Sequence, residues 1–220
     1  MRSLPSDLDA LDSRRGRALF REALLEGTME GYFKLAQQFH TQAEPAYCGL
    51  GSLVCALNAL RIDPERTWKG PWRWFSEELL TCCKSLHEIE RSGLTLDEVA
   101  CLARCSGAIA SVHRPPLVDI DEFREHVLAA STAPDGPVII ANYSRKAVGQ
   151  TGDGHFSPIG GYHVATDRVL VLDTARFKYP PHWLSLALLF EAIQDPDSES
   201  RRGRGWLMLQ RRGDQAGALR

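Results

Sequence analysis

The chain reads as an α+β fold, helical in its front half and built of sheet in its back half. Three observations carry that reading. Between residues 48 and 60 the apolar side chains Leu50, Leu53, Val54, Leu57 and Leu60 recur at three- and four-residue steps, the spacing of a helix with one buried face. After the turn Asp135-Gly136-Pro137 the period changes, and Val138–Tyr143, Arg168–Asp173 and Gly205–Gln210 read as short strands. No internal repeat and no linker composition divides the two halves.

Taken in order, residues 1–16 are polar and charged and are expected to be loosely ordered. Ala18, Leu19, Ala23 and Leu24 have helical spacing, and Gly27 ends that helix. Tyr32, Phe33, Leu35, Ala36 and Phe39 predict a second short helix feeding the loop that starts at Gln42. Pro45 keeps that loop extended and biases Glu44 away from helical angles. The helix opening at Cys48 runs to about Arg61 and stops before Asp63-Pro64. Trp68–Phe75 holds three tryptophans beside Lys69 and Arg73, a pattern able to stack bases. With no basic surface elsewhere, it is read as an ordered loop that plugs the core with tryptophan.

Glu77 to about Leu86 is expected to be a helix carrying Cys82 and Cys83. Thr95 and Glu98 stand at capping-box spacing and open a helix through Cys101 and Cys105, one turn apart on one face. Asp119–Ala129 is amphipathic. A flexible glycine link, Gly149–Gly154, leads into the segment His155–His163, and Thr166-Asp167 marks the turn before the next strand. Pro180-Pro181 forces extension, Leu184–Ile193 reads as a helix, and Arg201–Arg204 as a solvated loop. The predicted organisation is a flexible segment 1–16, one domain over 17–212 (helical about 17–130, sheet about 137–212) and a flexible tail 213–220.

The chain has 220 residues and a net charge of −2, which suggests neither a nucleic-acid nor an anionic-membrane partner. No apolar run reaches the roughly 18 residues of a membrane span, and the N-terminus lacks an apolar signal core. Six cysteines without such a signal predict reduced thiols in a cytoplasmic protein.

Cys48 falls at the first turn of its helix, where unpaired N–H groups and the helix dipole favour a thiolate. Gln42, six residues upstream, is placed to point an amide at an oxyanion beside the sulfur, together with the Cys48 N–H. A thiol nucleophile needs a base and a group that orients the base. His155 opens one strand and Asp173 closes the next. As hairpin neighbours their midpoint falls near the predicted turn, and Gly160-Gly161 can host a bulge that adjusts the register. His163, beyond that glycine pair, satisfies the same logic as base. Cys55, seven residues after Cys48, is expected in the core, and Cys82, Cys83, Cys101 and Cys105 are weak soft-metal candidates without zinc-ribbon spacing.

Four stretches together resemble the catalytic domain of the phytochelatin synthase family: Glu44–Leu50, Trp68–Phe75, Gly152–Tyr162 and Leu172–Trp183. The resemblance runs from about Gly27 to Gln210. It implies a papain-like cysteine protease fold, a helical lobe and a sheet lobe flanking a cleft. It also implies Cys48 as nucleophile, His155 as base, Asp173 as orienter and Gln42 in the oxyanion hole. The implied reaction is γ-glutamylcysteine transfer from glutathione through a Cys48 thioester, with glycine released and phytochelatins made in heavy-metal detoxification. The alternatives are hydrolysis of glutathione, toward which short bacterial members tend, and, further off, a metal–thiolate binding protein without catalysis. No covalent cofactor is implied; cadmium or zinc ions act as activators, as glutathione thiolates. Glutathione carries two carboxylates, so Arg145, Arg176 and Lys178 are the expected substrate cations, with Tyr47 and Glu44 beside the nucleophile as further contacts. A homodimer is a possible assembly.

Overall fold

The computed structural model describes residues 2–198 and 200–213. Among these residues one antiparallel sheet of seven strands runs in the order β1-β6-β5-β4-β3-β7-β2. Its strands are β1 (Asp9–Ala10), β2 (Ala108–His113), β3 (Val138–Ser144), β4 (Gly154–His163), β5 (Arg168–Val171), β6 (His182–Ser185) and β7 (Gly205–Arg211). Helices α1 (Arg14–Leu25), α2 (Glu30–Ala36), α3 (Cys48–Ala59), α4 (Leu86–Ser92) and α5 (Leu96–Cys105) precede most of them, with α6 (Ile120–Thr132) and α7 (Leu186–Gln194) further on. The α+β class is as expected from the sequence.

Both faces of the sheet are covered, and β3 shows how. Val138 and Ile140 join the core with Leu50, Leu53 and Val99 of α3 and α5. Ile139, Ala141 and Tyr143 join the other core, with Phe123 of α6 and Phe190 of α7. A strand buried on both faces has no polar alternation, which is why 138–143 reads as a continuous apolar run. The helix α3 is likewise buried almost all round, beyond the single face its spacing predicts. Glycines let it sit that deep. A Cβ on Gly51 would stand 3.0 Å from Glu77 Oε1 and 3.1 Å from Gln42 Cβ.

The placement of Cys48 follows from the parity of β4. The Pro158 carbonyl accepts the Leu172 N–H at 2.9 Å, so the even-numbered peptide groups of β4 face away from β3. Phe156 is one of these, and β5 does not reach it, since the β4–β5 ladder begins at Ile159. Its carbonyl instead accepts the Ser52 hydroxyl at 3.0 Å, while its N–H favours the Cys48 thiolate. Ser52, one turn along α3 from Cys48, thus satisfies that strand carbonyl and ties helix to sheet. Pro158 is tolerated in a central strand because its missing N–H lies on that same unladdered side.

Several expectations are corrected. Residues 8–13 are tied down: Leu8 is buried, Asp9 and Ala10 pair with β6, and the Leu11 N–H donates to the Pro181 carbonyl at 2.8 Å. The helix expected at 77–86 is only a short 3-10 turn, Glu77–Leu79. The helix begins later, at Leu86, where Ser85 and Glu88 form the capping box. Strand β2 arises from a stretch, 108–113, too poor in large β-branched residues to announce itself. The tryptophan loop does not plug the core. Trp72 is 71 % and Trp74 43 % exposed, and Phe75 is the residue inserted, its backbone held both ways by the Asn58 amide. The Gly149–Gly154 link is mostly exposed yet tied down: the Thr151 N–H donates to the Tyr179 hydroxyl at 2.9 Å, and a Cβ on Gly154 would fall 2.1 Å from Arg204 Nη1. The predicted tail 213–220 lies, beyond Gly213, outside the described residues.

The reduced-thiol expectation also fails. Cys82 pairs with Cys105 and Cys83 with Cys101, with Cα–Cα distances of 6.7 and 6.3 Å. The shared face of Cys101 and Cys105 on α5 is as read from spacing. That the 81–84 segment lies across it is a long-range packing fact no local pattern encodes. Thiol titration of the denatured, unreduced chain is therefore expected to count two thiols, Cys48 and Cys55, with the other four appearing only after reduction. Ser52→Ala leaves the buried Phe156 carbonyl without its donor and is expected to cost about 1–3 kcal/mol in chemical denaturation.

Candidate active site

Three groups from separate elements converge. Cys48 is the first residue of α3 and is half-buried. His155 is the second residue of β4 and Asp173 lies two residues beyond β5; both are buried. The β4–β5 register shifts between Ile159 and Gly161, the bulge expected at the glycine pair. Those glycines are also sterically required, since a Cβ on Gly161 would meet Met29 Sδ at 2.2 Å. The result brings His155 Nε2 within 2.8 Å of Asp173 Oδ1. Asp173 binds through Nε2, so the proton of a neutral ring sits there and Nδ1 keeps its lone pair. The edge of the Tyr143 ring packs on the imidazole, centroids 5.7 Å apart. Cys48 and Phe156, the residue of β4 after His155, line the same cleft.

Asp173 is a fully buried carboxylate with three donors. Besides His155 they are the Ala175 N–H at 2.9 Å and Arg145 Nη2, 3.0 Å from Oδ1 and 2.9 Å from Oδ2. Burial pushes its acidity down, but the His155 and Arg145 charges overcome this and hold the carboxyl well below the usual range. For His155 burial prevails, and the Arg145 charge adds to it; despite Asp173, its pKa is lowered to about 4. Burial likewise pushes the Cys48 thiol above its ordinary value, against the Phe156 N–H and the Arg145 charge. At rest burial therefore favours a neutral thiol on Cys48 and a neutral imidazole on His155, not the thiolate that a helix start alone predicts.

The remaining predicted residues divide. Arg145 is not a free substrate cation: it is 2 % exposed, holds Asp173, bonds Gln150 and stacks its guanidinium 5.2 Å from the Tyr179 ring. It fixes the Asp173 carboxylate. Lys178 stays near this group, with its pKa lowered by burial and by the Arg145 charge. Arg176 is exposed, stacks on Phe39, and lines a separate cavity of about 560 Å³ between α1 and Pro180-Pro181. Tyr47 packs in the core, its hydroxyl 3.4 Å from the Leu86 carbonyl, and Glu44 is exposed. His163 binds Thr166 and Glu22 at the far end of β4, which removes it as the base. Cys55 is buried as expected; of the weak metal candidates, Cys82, Cys83 and Cys105 bring their sulfurs within 4.8 Å of one another, and with Cys101 they stand in two disulfide pairs.

Gln42 holds its own loop. Its Nε2 donates to the Glu44 and Pro45 carbonyls at 2.9 and 3.0 Å, and its Oε1 accepts from Thr174 Oγ1 at 3.0 Å, next to Asp173. Sequence reasoning missed what braces that loop from behind. Glu77 Oε2 accepts the Ala43 N–H at 3.0 Å, and Oε1 lies 3.4 Å from His40 Nε2. His40 Nδ1 in turn lies 3.4 Å from Cys55 Sγ, and hydrogen bonds to Cys55 and Glu77 raise its pKa to about 10. It missed the cleft wall as well. Cys48 opens into a cleft of about 270 Å³ whose other side carries Asn142, Asp153, Asp197 and Arg204. Arg204, read as solvated, is 1 % exposed and bridges Asp153 at 3.1 Å and Asp197 at 3.2 Å. The only local hint was its place at the mouth of the last strand.

Comparisons with known proteins show what the chain is similar to. The family profile described as phytochelatin synthase matches residues 1–206. The chain is 49% identical over 220 residues to glutathione gamma-glutamylcysteinyltransferase 1 of Arabidopsis thaliana, covering 99% of this chain and 45% of that one. It is 47% identical over 209 residues to the glutathione gamma-glutamylcysteinyltransferase of Schizosaccharomyces pombe, covering 95% and 50%. The chain therefore spans about half the length of the curated relatives it matches. Among solved structures, a double glycine motif protease from an AMS/PCAT transporter, in complex with its leader peptide, superimposes with a TM-score of 0.47 at 16% identity, over 78% of this chain and 90% of that one.

The neutral resting pair has a direct chemical signature. Alkylation of Cys48 by iodoacetamide, followed by peptide mass spectrometry, is expected to accelerate as pH rises toward and past the ordinary thiol value of 9.0, with no plateau below it. A rate already level between about pH 5 and 8 would instead reveal a thiolate–imidazolium pair.

Proposed function

This chain belongs to the phytochelatin synthase family, and from that premise we propose that it transfers γ-glutamylcysteine from glutathione through a thioester on Cys48. The observation that supports this most is the His155–Asp173 contact, with the next residue of that strand, Phe156, lining the cleft that Cys48 opens into. His155 Nδ1 takes the thiol proton as Sγ attacks the Cys–Gly carbonyl of glutathione. The Cys48 N–H, at a helix position with no intrahelical acceptor, meets the developing oxyanion. Gln42 adds its amide by giving up one of its two loop carbonyls. The imidazolium is stabilised by Asp173 and hands its proton to the leaving glycine nitrogen. A γ-Glu-Cys acyl group stays on sulfur until the α-amine of a second glutathione attacks it. That amine loses its proton to His155, a peptide bond forms, and the thiolate is released. Water in place of the amine gives hydrolysis.

The cleft chemistry supports a small zwitterionic donor. A γ-glutamyl group carries an α-ammonium and an α-carboxylate on one carbon. The wall facing Cys48 sets Asp153 and Asp197 around the Arg204 guanidinium, a pattern of both signs within one small cleft. We place the γ-glutamyl head there and the scissile carbonyl at Cys48. Cadmium or zinc enters this reading as part of the acceptor, a glutathione thiolate complex, in a detoxification role in the cytoplasm. No helix among the described residues is long and apolar enough to cross a membrane.

Incubation with glutathione, with and without cadmium, is expected to yield γ-Glu-Cys oligomers ending in glycine, read by mass spectrometry. Cys48→Ser is expected to abolish both oligomers and glycine release. Glycine release without oligomers, at every glutathione concentration, would overturn transfer in favour of hydrolysis.

A further inference from the structure

Away from the cleft, β2 and α6 bring together a group of side chains that the proposed chemistry does not use. His113, the last residue of β2, lies with Nδ1 3.2 Å from Glu122 Oε1. His126, one turn further along α6, packs edge-on against His113, ring centroids 4.5 Å apart. One ligand atom from each of the three falls within 4.8 Å of the others, and each residue keeps part of its surface in solvent. We propose that His113, Glu122 and His126 form a divalent-metal site of the zinc class, with water in the fourth position.

The donor set is two imidazoles and one carboxylate, which suits zinc and leaves one position open. The nitrogen–oxygen separation of 3.2 Å is close to the roughly 3.3 Å edge of a tetrahedron with bonds of about 2.0–2.1 Å. Protonation favours it too. An indole N–H can only donate, so the Trp206 Nε1–H, 3.2 Å from His126 Nδ1, requires a lone pair on that nitrogen. His113 needs only a change of tautomer. Its Nδ1 proton gives way to the metal, and the ring carries one on Nε2 instead, where Ser111 Oγ at 3.1 Å accepts it. The cost is the loss of one indole hydrogen bond, modest beside the affinity of a three-residue site. Trp206 is fully buried and stacks on His113 at 5.3 Å, so the metal would fasten β2 and β7 to α6.

The test uses the full chain, chelated free of metal and with its accessible thiols alkylated, titrated with cobalt and zinc chlorides. One cobalt per chain is expected, with visible absorption of a nitrogen–oxygen site and no thiolate charge-transfer band. Glu122→Gln and His126→Gln are each expected to weaken binding at least about tenfold, with unchanged circular dichroism without metal, and Glu122→Asp to restore part of the loss. Equal affinity and stoichiometry in wild type and both variants would overturn the site. Should either variant fail to fold, zinc-edge X-ray absorption on the alkylated wild type decides: two imidazoles in the first shell are expected, and a sulfur or oxygen-only shell would refute the assignment.

Discussion

A single buried carboxylate organises the active site. Asp173 has no exposure to solvent and would be costly to bury as an anion without partners. His155, Arg145 and the Ala175 N–H supply them, and each partner is itself placed by a different device. His155 is set by the register of β3 and β4, where it stands opposite Tyr143. Arg145 follows the last residue of β3, and its N–H binds the Asp153 carbonyl. Asp173 itself is carried past β5 by the bulge at Gly160. Because the Arg145 charge balances the aspartate, Asp173 stays ionised while His155 stays neutral, the pairing a base and its orienter need.

Cys48 is held near this group by packing of its helix rather than by its own side chain. The Phe156 carbonyl, left without a strand partner, is completed by Ser52, one turn along α3. The loop before α3 is held at two adjacent residues: Gln42 accepts from Thr174 on the Asp173 side, and Glu77 accepts from the Ala43 N–H on the other. These bonds restrain the loop beside the place where an oxyanion would form. Arg204, Asp153 and Asp197 add a charged wall that faces Cys48 across the cleft.

Much of this was legible in the sequence, for identifiable reasons. Cys48, His155 and Asp173 each stand at the end of an element, and element ends can be read from local punctuation such as Pro45, the glycine link and the Thr166-Asp167 turn. The bulge was legible because two adjacent glycines weaken a strand unless its backbone must bend or be approached closely there. What stayed hidden was long-range. Arg145 was read as a substrate cation because nothing near it in sequence shows the buried aspartate it serves. Arg204 looked like one more charge in a basic loop until β7 carried it under Gly154. The cysteine pairs and the exposed tryptophans went the same way: residue type set the expectation, and the neighbour that decided the outcome lay far along the chain.

The central claim is that the Cys48 sulfur becomes acylated in a crevice run by His155 and Asp173. Rapid acid quenching of the chain with glutathione, followed by peptide mass spectrometry, tests it most directly. The account predicts a γ-Glu-Cys adduct on the peptide containing Cys48, labile to hydroxylamine as a thioester is, and absent in Asp173→Ala. Glycine released from glutathione while Cys48 never carries an adduct, or an adduct that forms equally well without Asp173, would contradict it.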